Sequence, residues 1–308
     1  MEQPTNQTIL TTGGAGFIGS HLASELVKEN DVRILDNLTS GKRSKVPQDA
    51  TLIEGDLRDE DSLERAAEDV DLIFHEAALV SVQGSVEAPL TSHDINATAT
   101  LELLEAARRE DARIVLASSA AIYGHPEQIP IEESDSKSPA SPYGIDKLAI
   151  DHYARRYNDL YDLETVALRY FNAYGPGQTA GDYSGVISIF CDQAIDDEPI
   201  TVHGDGGQTR DFVFIDDIVQ ANLKAATTDQ VGSAYNVGTG KTVTIQELAE
   251  TIVDVTDSNS GITYTEGRDG DIRHSQADIS AIRSDLGYEP TVSLRDGLEQ
   301  TVDWYRQH

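Results

Sequence analysis

Cysteine is all but absent from this chain. Cys191 is the only one, which excludes an internal disulfide and a zinc site built on paired thiolates; no metal is called for. Long hydrophobic runs are missing too. No apolar stretch reaches the roughly 18 residues a bilayer span needs. The opening residues, Met1-Glu2-Gln3-Pro4-Thr5-Asn6, lack the basic and then apolar order of a secretion signal. The expectation is a cytoplasmic protein with no membrane partner. Basic side chains are scarce, 23 Lys and Arg against 54 Asp and Glu for a net charge of −31, and only seven of the 23 are lysine. With no basic stripe, a nucleic-acid surface is excluded.

The acids are abundant and dispersed. They recur as Asp59-Glu60-Asp61, Glu132-Glu133, Asp196-Asp197-Glu198 and Asp216-Asp217. Self-repulsion at this density weakens a compact state in dilute buffer, whereas at molar salt the screening length falls to about 3 Å. The expectation is a high-salt cytoplasm, with an ordinary acidic bacterial enzyme as the rival.

What the chain does have is a glycine-rich turn near its start, Thr11-Thr12-Gly13-Gly14-Ala15-Gly16-Phe17-Ile18-Gly19. It follows the apolar pair Ile9-Leu10 and precedes a helical pattern through His21, Leu22 and Leu26, so a buried strand turns into a helix here. Free N–H groups and the helix dipole favour an anion at that point. Gly13 permits the turn, Gly16 lets a pyrophosphate approach, and Gly19 lets the helix pack closely. The G-x-x-G-x-x-G spacing departs from G-x-G-x-x-G, and a merely tight strand–helix turn is the rival. The next strand, Val32–Leu35, ends in Asp36, seventeen residues past Gly19. A carboxylate there accepts both hydroxyls of an adenosine ribose and repels a 2′-phosphate, which points to NAD.

Strand and helix patterns alternate onward. Strands are expected at 8–11, 32–35, 51–53, 72–74, 114–117 and 166–169, and helices near 17–29, 60–68, 92–110 and 144–161. The fold class is α/β: a Rossmann-like doubly wound parallel sheet with a smaller α/β C-terminal substrate domain. Residues 1–172, with 210–235 returning to them, form the first domain; 173–209 and 236–308 form the second. Ligands then bind beyond the carboxyl ends of the strands. After the third strand, Asp56 can accept from an adenine amino group with Leu57 on the ring, while Asp59 is the more natural helix N-cap. After the fourth come His75-Glu76-Ala77-Ala78, where small residues admit a cofactor and His75 reads as a hydrogen-bonded core histidine. Asn96 opens the next helix and ties strand ends together. After the fifth stand Ser118 and Ser119. Further on, Tyr143 and Lys147 share one helix face, and an ammonium beside a phenol favours the phenolate as a proton acceptor.

Together these segments resemble the extended short-chain dehydrogenase/reductase family. The resemblance rests on Thr12–Gly19, Ser118-Ser119-Ala120-Ala121-Ile122-Tyr123-Gly124, Tyr143-Gly-Ile-Asp-Lys147, Arg169–Gly177, Gly204–Phe212 and Arg268–Ser275, and covers nearly the whole chain. It implies that Tyr143 is the base, that Lys147 holds the nicotinamide ribose and tunes Tyr143, and that Ser119 assists. It implies an NAD site of Gly13, Gly16, Phe17, Ile18, Gly19, Asp36, Asn37, Asp56, Leu57, Ala77, Ala78, Asn96, Ser118, Tyr143, Lys147 and Tyr170. A nucleotide sugar would meet Val80, Ser119, Tyr143, Asn172, Val186, Val202 and Ser275, with Arg210 and Arg268 on its diphosphate beside Asn172 and Asp271 on its ribose. Guanidinium groups suit a diphosphate entering so anionic a protein; an ion pair with Asp211 or Asp217 is the rival role for Arg210.

Dehydratases of this family carry an acid pair after the serine and decarboxylases a glutamate. This chain has Ala120 and Ala121, which move no protons. The expectation is reversible oxidation at sugar C4 with return of the hydrogen to the other face. The substrate would be a UDP-hexose, plain or N-acetylated, with small Ser275 beside the C2 group; a UDP-glucuronate epimerase or another nucleotide-sugar oxidoreductase or dehydratase is the alternative. The family commonly pairs the helices near 92–110 and 144–161 across a homodimer. Leu101, Leu104 and Ala107 permit that, and burial within the monomer explains them equally.

Overall fold

Six aliphatic runs alternate with helices along the first 170 residues, and the computed structural model, which describes residues 3–178, 185–267 and 270–308, builds them into one sheet. The strands are β1 (Thr8–Thr12), β2 (Asp31–Asp36), β3 (Thr51–Glu54), β4 (Leu72–His75), β5 (Arg113–Ser119) and β6 (Thr165–Tyr170). The interleaved helices are α1 (Phe17–Leu26), α2 (Glu60–Ala67), α3 (Val82–Glu87), α4 (Pro89–His93), α5 (Ala99–Glu110) and α6 (Pro142–Tyr161). Strands such as Leu72–His75 and Thr165–Tyr170 are buried at every position, as helices on both faces require.

Small pairs of strands follow. β7 (Asn172–Tyr174) pairs with β10 (Phe212–Phe214), β8 (Ile200–His203) with β13 (Ile262–Thr265), and β9 (Thr209–Arg210) with β12 (Val243–Thr244). Between them run α7 (Val186–Ile195), α8 (Ile215–Thr227), β11 (Ser233–Val237) and α9 (Ile245–Thr256), and the chain ends with α10 (Ser280–Leu286) and α11 (Leu294–Tyr305). The large sheet has the order β11-β6-β5-β4-β1-β2-β3, with every neighbouring pair parallel. The chain winds outward from β1 to β3, crosses back, and winds the other way from β4. The crevice beyond the carboxyl ends of β1 and β4 is therefore the topological switch point, where such sheets bind ligands.

Several expectations need correcting. A seventh strand, β11, joins the six expected ones at the sheet edge, with Tyr235–Val237 in register with Leu168–Tyr170. The helix expected over 92–110 starts at Pro89 and is interrupted by a π-helical turn at Asp94–Thr98. Asn96 sits within that turn instead of opening a helix; its side chain takes both backbone groups of Leu79, accepting from the N–H at 2.8 Å and donating to the carbonyl at 3.0 Å. Leu104 and Ala107 are fully buried against Leu10 and Ile73, with Leu101 packed beside them, so they belong to the monomer core. The exposed apolar side chains of α6 are Ile145, Tyr153, Leu160 and Tyr161, with Leu90 of α4 also exposed.

A buried ionic network stands behind the sheet. Arg169 is 2 % exposed and Asp151 fully buried; Nε donates to Oδ2 at 2.8 Å and Nη2 to Oδ1 at 3.0 Å. Arg169 also donates to the Tyr123 hydroxyl, which donates in turn to Asn236. Burial pushes the Asp151 carboxyl up, but the guanidinium overrides it and holds it below its ordinary range. Asn236 donates to the Ile131 carbonyl and accepts from the Tyr123 hydroxyl.

Candidate active site

The glycine turn is as tight as its spacing implies. Gly13 has φ +69°, and a Cβ there would lie 2.7 Å from the Ala77 nitrogen; a Cβ on Gly19 would strike the Gly13 carbonyl. Helix α1 opens on Gly16 with no side-chain cap and no acid in its first turn, so its N–H groups stay available to an anion. Asp36 is 8 % exposed. Its Oδ2 accepts from Ala15 N at 2.9 Å and its Oδ1 from Leu38 N at 2.8 Å, which fixes the carboxylate beside the turn. An uncapped helix start next to a fixed carboxylate is the donor and acceptor set that a pyrophosphate and a ribose diol require, so these residues fit NAD.

The adenine side is less open than expected. Asp56 accepts from Arg58 Nε and Nη2, both at 2.8 Å, and from Asn37 at 2.9 Å; the Arg58 hydrogen bonds hold its carboxyl far below the usual range. Leu57 is buried beside it, and Asp59 caps α2 through Ser62 N.

His75 is a core residue. Thr100 donates to the Asn96 carbonyl and so receives the His75 Nε2–H at 2.7 Å, while Thr12 bonds Nδ1 at 2.7 Å. Burial pushes its pKa down to about 3, so the ring is neutral.

Next along the same edge lie the candidates for chemistry. Ser141 caps α6 through Gly144 N, with Pro142 in the first helical position, and this start sets Tyr143 and Lys147 one turn apart facing β5. Ser119, at the end of β5, accepts from Ala121 N at 3.1 Å and stands near enough to the Tyr143 phenol to bear on its titration. Lys147 Nζ lies 5.9 Å from the Tyr143 ring centroid and donates to the Ala117 carbonyl at 2.7 Å. Burial pushes Lys147 down to about 8, opposed by Glu76 and Asp146. The expected low phenol is not found in this structure: burial pushes Tyr143 up, and Ser119 pulls it part of the way back. Ser118 turns away and donates to Asp151. Tyr170 is buried, its hydroxyl bonded to Glu76 and Asn222.

On the substrate side, Asn172, Tyr174, Gln178, Val186 and Phe212 line a cavity of about 110 Å³. Val80 is half exposed in the loop between β4 and α3. Val202 has its side chain fully buried in β8 within the main core, because alternation along the strand turns it inward, which leaves its backbone to meet a ligand. Arg210 pairs with Asp271 at 2.5 Å. Asp211 and Asp217 are not its partners, since Asp211 accepts from Thr239, Gly240 and Ala277 and Asp217 from Thr291 and Val292. Ser275 is buried, its N–H on the Thr209 carbonyl. Arg268 lies outside the described residues. The residue that motif reading passed over is Glu76; the available signal was an acid directly after the apolar run Leu72-Ile73-Phe74 and His75.

Comparison with known proteins bears on this geometry. The family model described as "NAD dependent epimerase/dehydratase family" matches residues 9–238. A UDP-glucose 4-epimerase of Mycolicibacterium smegmatis is 35 % identical over 306 residues, covering 96 % of this chain and 98 % of that one. The structure of a UDP-N-acetylglucosamine 4-epimerase from Methanobrevibacter ruminantium M1, in complex with UDP-N-acetylmuramic acid, matches with TM-score 0.95, 38 % identity and 99 % coverage of both chains. That of a Thermotoga maritima UDP-glucose 4-epimerase with UDP-glucose gives TM-score 0.94 and 36 % identity, over 97 % of this chain and 99 % of that one.

Proposed function

The chain belongs to the NAD dependent epimerase/dehydratase family, and from that premise we propose how its residues carry out the NAD-dependent 4-epimerisation of a nucleotide sugar. The enzyme is an isomerase that interconverts UDP-hexoses at C4 through a transient 4-keto sugar. The observation that carries the reading is the meeting of Ser119, Tyr143 and Lys147 at the sheet edge beside the glycine turn, with only alanine at 120 and 121.

NAD, when bound, would supply the acceptor and donor for the C4 hydride. The N-terminus of α1 and Asp36 hold its pyrophosphate and adenosine ribose, and Lys147 its nicotinamide ribose. Tyr143 takes the O4 proton as C4 is oxidised and returns it on reduction; Ser119 orients that hydroxyl. Arg210, released from Asp271, and Arg268 grip the diphosphate while the keto sugar turns about it, and Asp271 then meets the ribose. Residues 1–172 with 210–235 serve as the cofactor domain and the remainder as the sugar-nucleotide domain. Two copies pair through the exposed apolar face of α6, where Ile145, Tyr153 and Leu160 recur at helical spacing.

The test is direct. UDP-glucose, UDP-N-acetylglucosamine and UDP-glucuronate are each incubated with the protein and NAD in molar KCl and resolved by chromatography. C4 epimers support the reading; stoichiometric NADH without an epimer, or a dehydrated product, overturns it.

Two further expectations arise here. Ser275→Tyr abolishes turnover of the N-acetylated sugar and spares UDP-glucose, measured as kcat/KM on each; equal rates on both contradict the assignment of Ser275 to the C2 group. The net charge of −31 reflects a high-salt cytoplasm. The midpoint of thermal unfolding therefore rises as KCl increases from 0.1 M toward 2 M, because screening removes self-repulsion, and a flat midpoint opposes that origin.

A further inference from the structure

Lys147 is 3 % exposed. An amine taken out of water keeps its charge only where a counter-charge or hydrogen bonds replace hydration. One hydrogen bond goes to the neutral Ala117 carbonyl. Lys147 lies beside the Tyr143 phenol, and β4 pairs with β5 up to His75 opposite Leu116, so Glu76 follows at the level of Ala117, whose carbonyl holds the Lys147 ammonium. Glu76 and Asp146 are the two carboxyls whose charge favours the protonated amine, and the neutral His75 ring stands at the same edge. Asp146 is already engaged, accepting from Ser92 and His93, both at 2.8 Å. Glu76 makes no direct ion pair with any Lys or Arg among the described residues, so its charge is uncommitted.

Glu76 is also held in place. Its N–H bonds the Thr12 carbonyl at 3.1 Å, which anchors it at the end of β4. Asn222 is fully buried and spends its amide hydrogens on the Ile218 carbonyl at 2.9 Å and the Tyr170 oxygen at 2.8 Å. The Tyr170 hydroxyl donates to Glu76 Oε1 at 2.9 Å, the shorter of its two donor contacts, the other being Asn222 Oδ1 at 3.1 Å. Three elements, β4, β6 and α8, converge to hold one carboxylate at the edge where Lys147 of α6 stands.

We propose that Glu76 is a positioning residue that acts through Lys147, supplying the counter-charge that keeps the ammonium protonated opposite Tyr143. Tyr170 and Asn222 are the brace that fixes it. Protonated Lys147 favours the phenolate form that Tyr143 needs in order to accept a proton; loss of the Glu76 charge lets Lys147 go neutral at lower pH. Burial pushes the Glu76 carboxyl up to about 7, so its charge is itself sensitive near neutrality.

The inference rests on the functional reading above, but its test does not require turnover. Lysine is labelled with ¹³C at Cε, the Lys147 resonance is assigned by its loss in Lys147→Arg, and the full-length protein is titrated. Glu76→Gln keeps the shape and an acceptor for Tyr170 and removes only the charge. The Lys147 midpoint is expected to fall by about one unit or more, with Glu76→Asp restoring part of it. Tyr170→Phe, which frees the carboxylate to protonate, moves the midpoint the same way by less. The alkaline limb of kcat follows the midpoint downward while KM holds. An unchanged Lys147 midpoint in Glu76→Gln and Tyr170→Phe overturns the proposal. Absence of epimerisation by the native protein, with the midpoint shift intact, instead counts against the functional reading alone.

Discussion

Tyr143→Phe is expected to lower the rate of C4 epimerisation by about 10²–10⁴-fold while leaving NAD affinity, measured by fluorescence titration, within a few-fold of the native value. The substitution removes one oxygen from a buried phenol whose ring packs at the start of α6 and whose hydroxyl meets Ser119. Nothing in the main-chain frame depends on that oxygen, since Ser141 and Pro142 set the helix start. The loss therefore falls on kcat, because the proton at sugar O4 has nowhere to go, and not on KM. Retention of more than a tenth of the native kcat assigns the base elsewhere. Loss of NAD binding in parallel makes Tyr143 a binding residue first.

Arg169→Ala is expected to destabilise the protein by about 3–5 kcal/mol, the cost of leaving a buried charge without its partner. Asp151 is then a carboxylate at zero exposure with only Ser118 and the partly buried Arg155 beside it. The Tyr123 hydroxyl also loses a donor, and it is the link between Arg169 and Asn236. Replacing both members, Arg169→Met with Asp151→Leu, is expected to cost less than Arg169→Ala alone, since no orphaned charge remains. Chemical denaturation measures both. A loss below about 1 kcal/mol for Arg169→Ala, in the range of exposed pairs, shows that the network contributes little.

How much of this was legible before the structure depends on the range of the contact involved. The glycine turn and Asp36 were readable because a strand, a turn and a helix start lie within a few dozen residues, and steric need dictates the residue types. His75 was readable as core because it ends a run of buried aliphatics. Asp59 declared itself as a cap by preceding an acidic first turn. Helix α3 was missed because it buries only Ser85 and so carries no apolar stripe; its one signal was Ser81, which accepts from Gly84 N at 2.8 Å. The π-helical turn at Asp94–Thr98 depends on Asn96 reaching the Leu79 loop, a contact periodicity does not encode. The rival ion pair considered for Arg210, with the nearby Asp211 or Asp217, does not form, since both are already occupied; its partner Asp271 is 61 residues away and no local pattern joins them. Val202 was assigned by resemblance to the sugar site; the alternation of β8 turns its side chain into the core and leaves its backbone to meet a ligand. Glu76 was overlooked for the opposite reason: it stood inside a recognised motif, and its brace comes from β6 and α8, which no local pattern joins to β4.

The central claim is that one hydrogen leaves C4 of the sugar and comes back to the same carbon within a single active site. UDP-glucose carrying deuterium at C4, incubated with the protein and unlabelled NAD until UDP-galactose forms, tests it most directly. The account predicts that the product keeps its deuterium at C4, with none in solvent and no build-up of labelled NADH in solution. Product with hydrogen at C4, or deuterium washed into water, contradicts it.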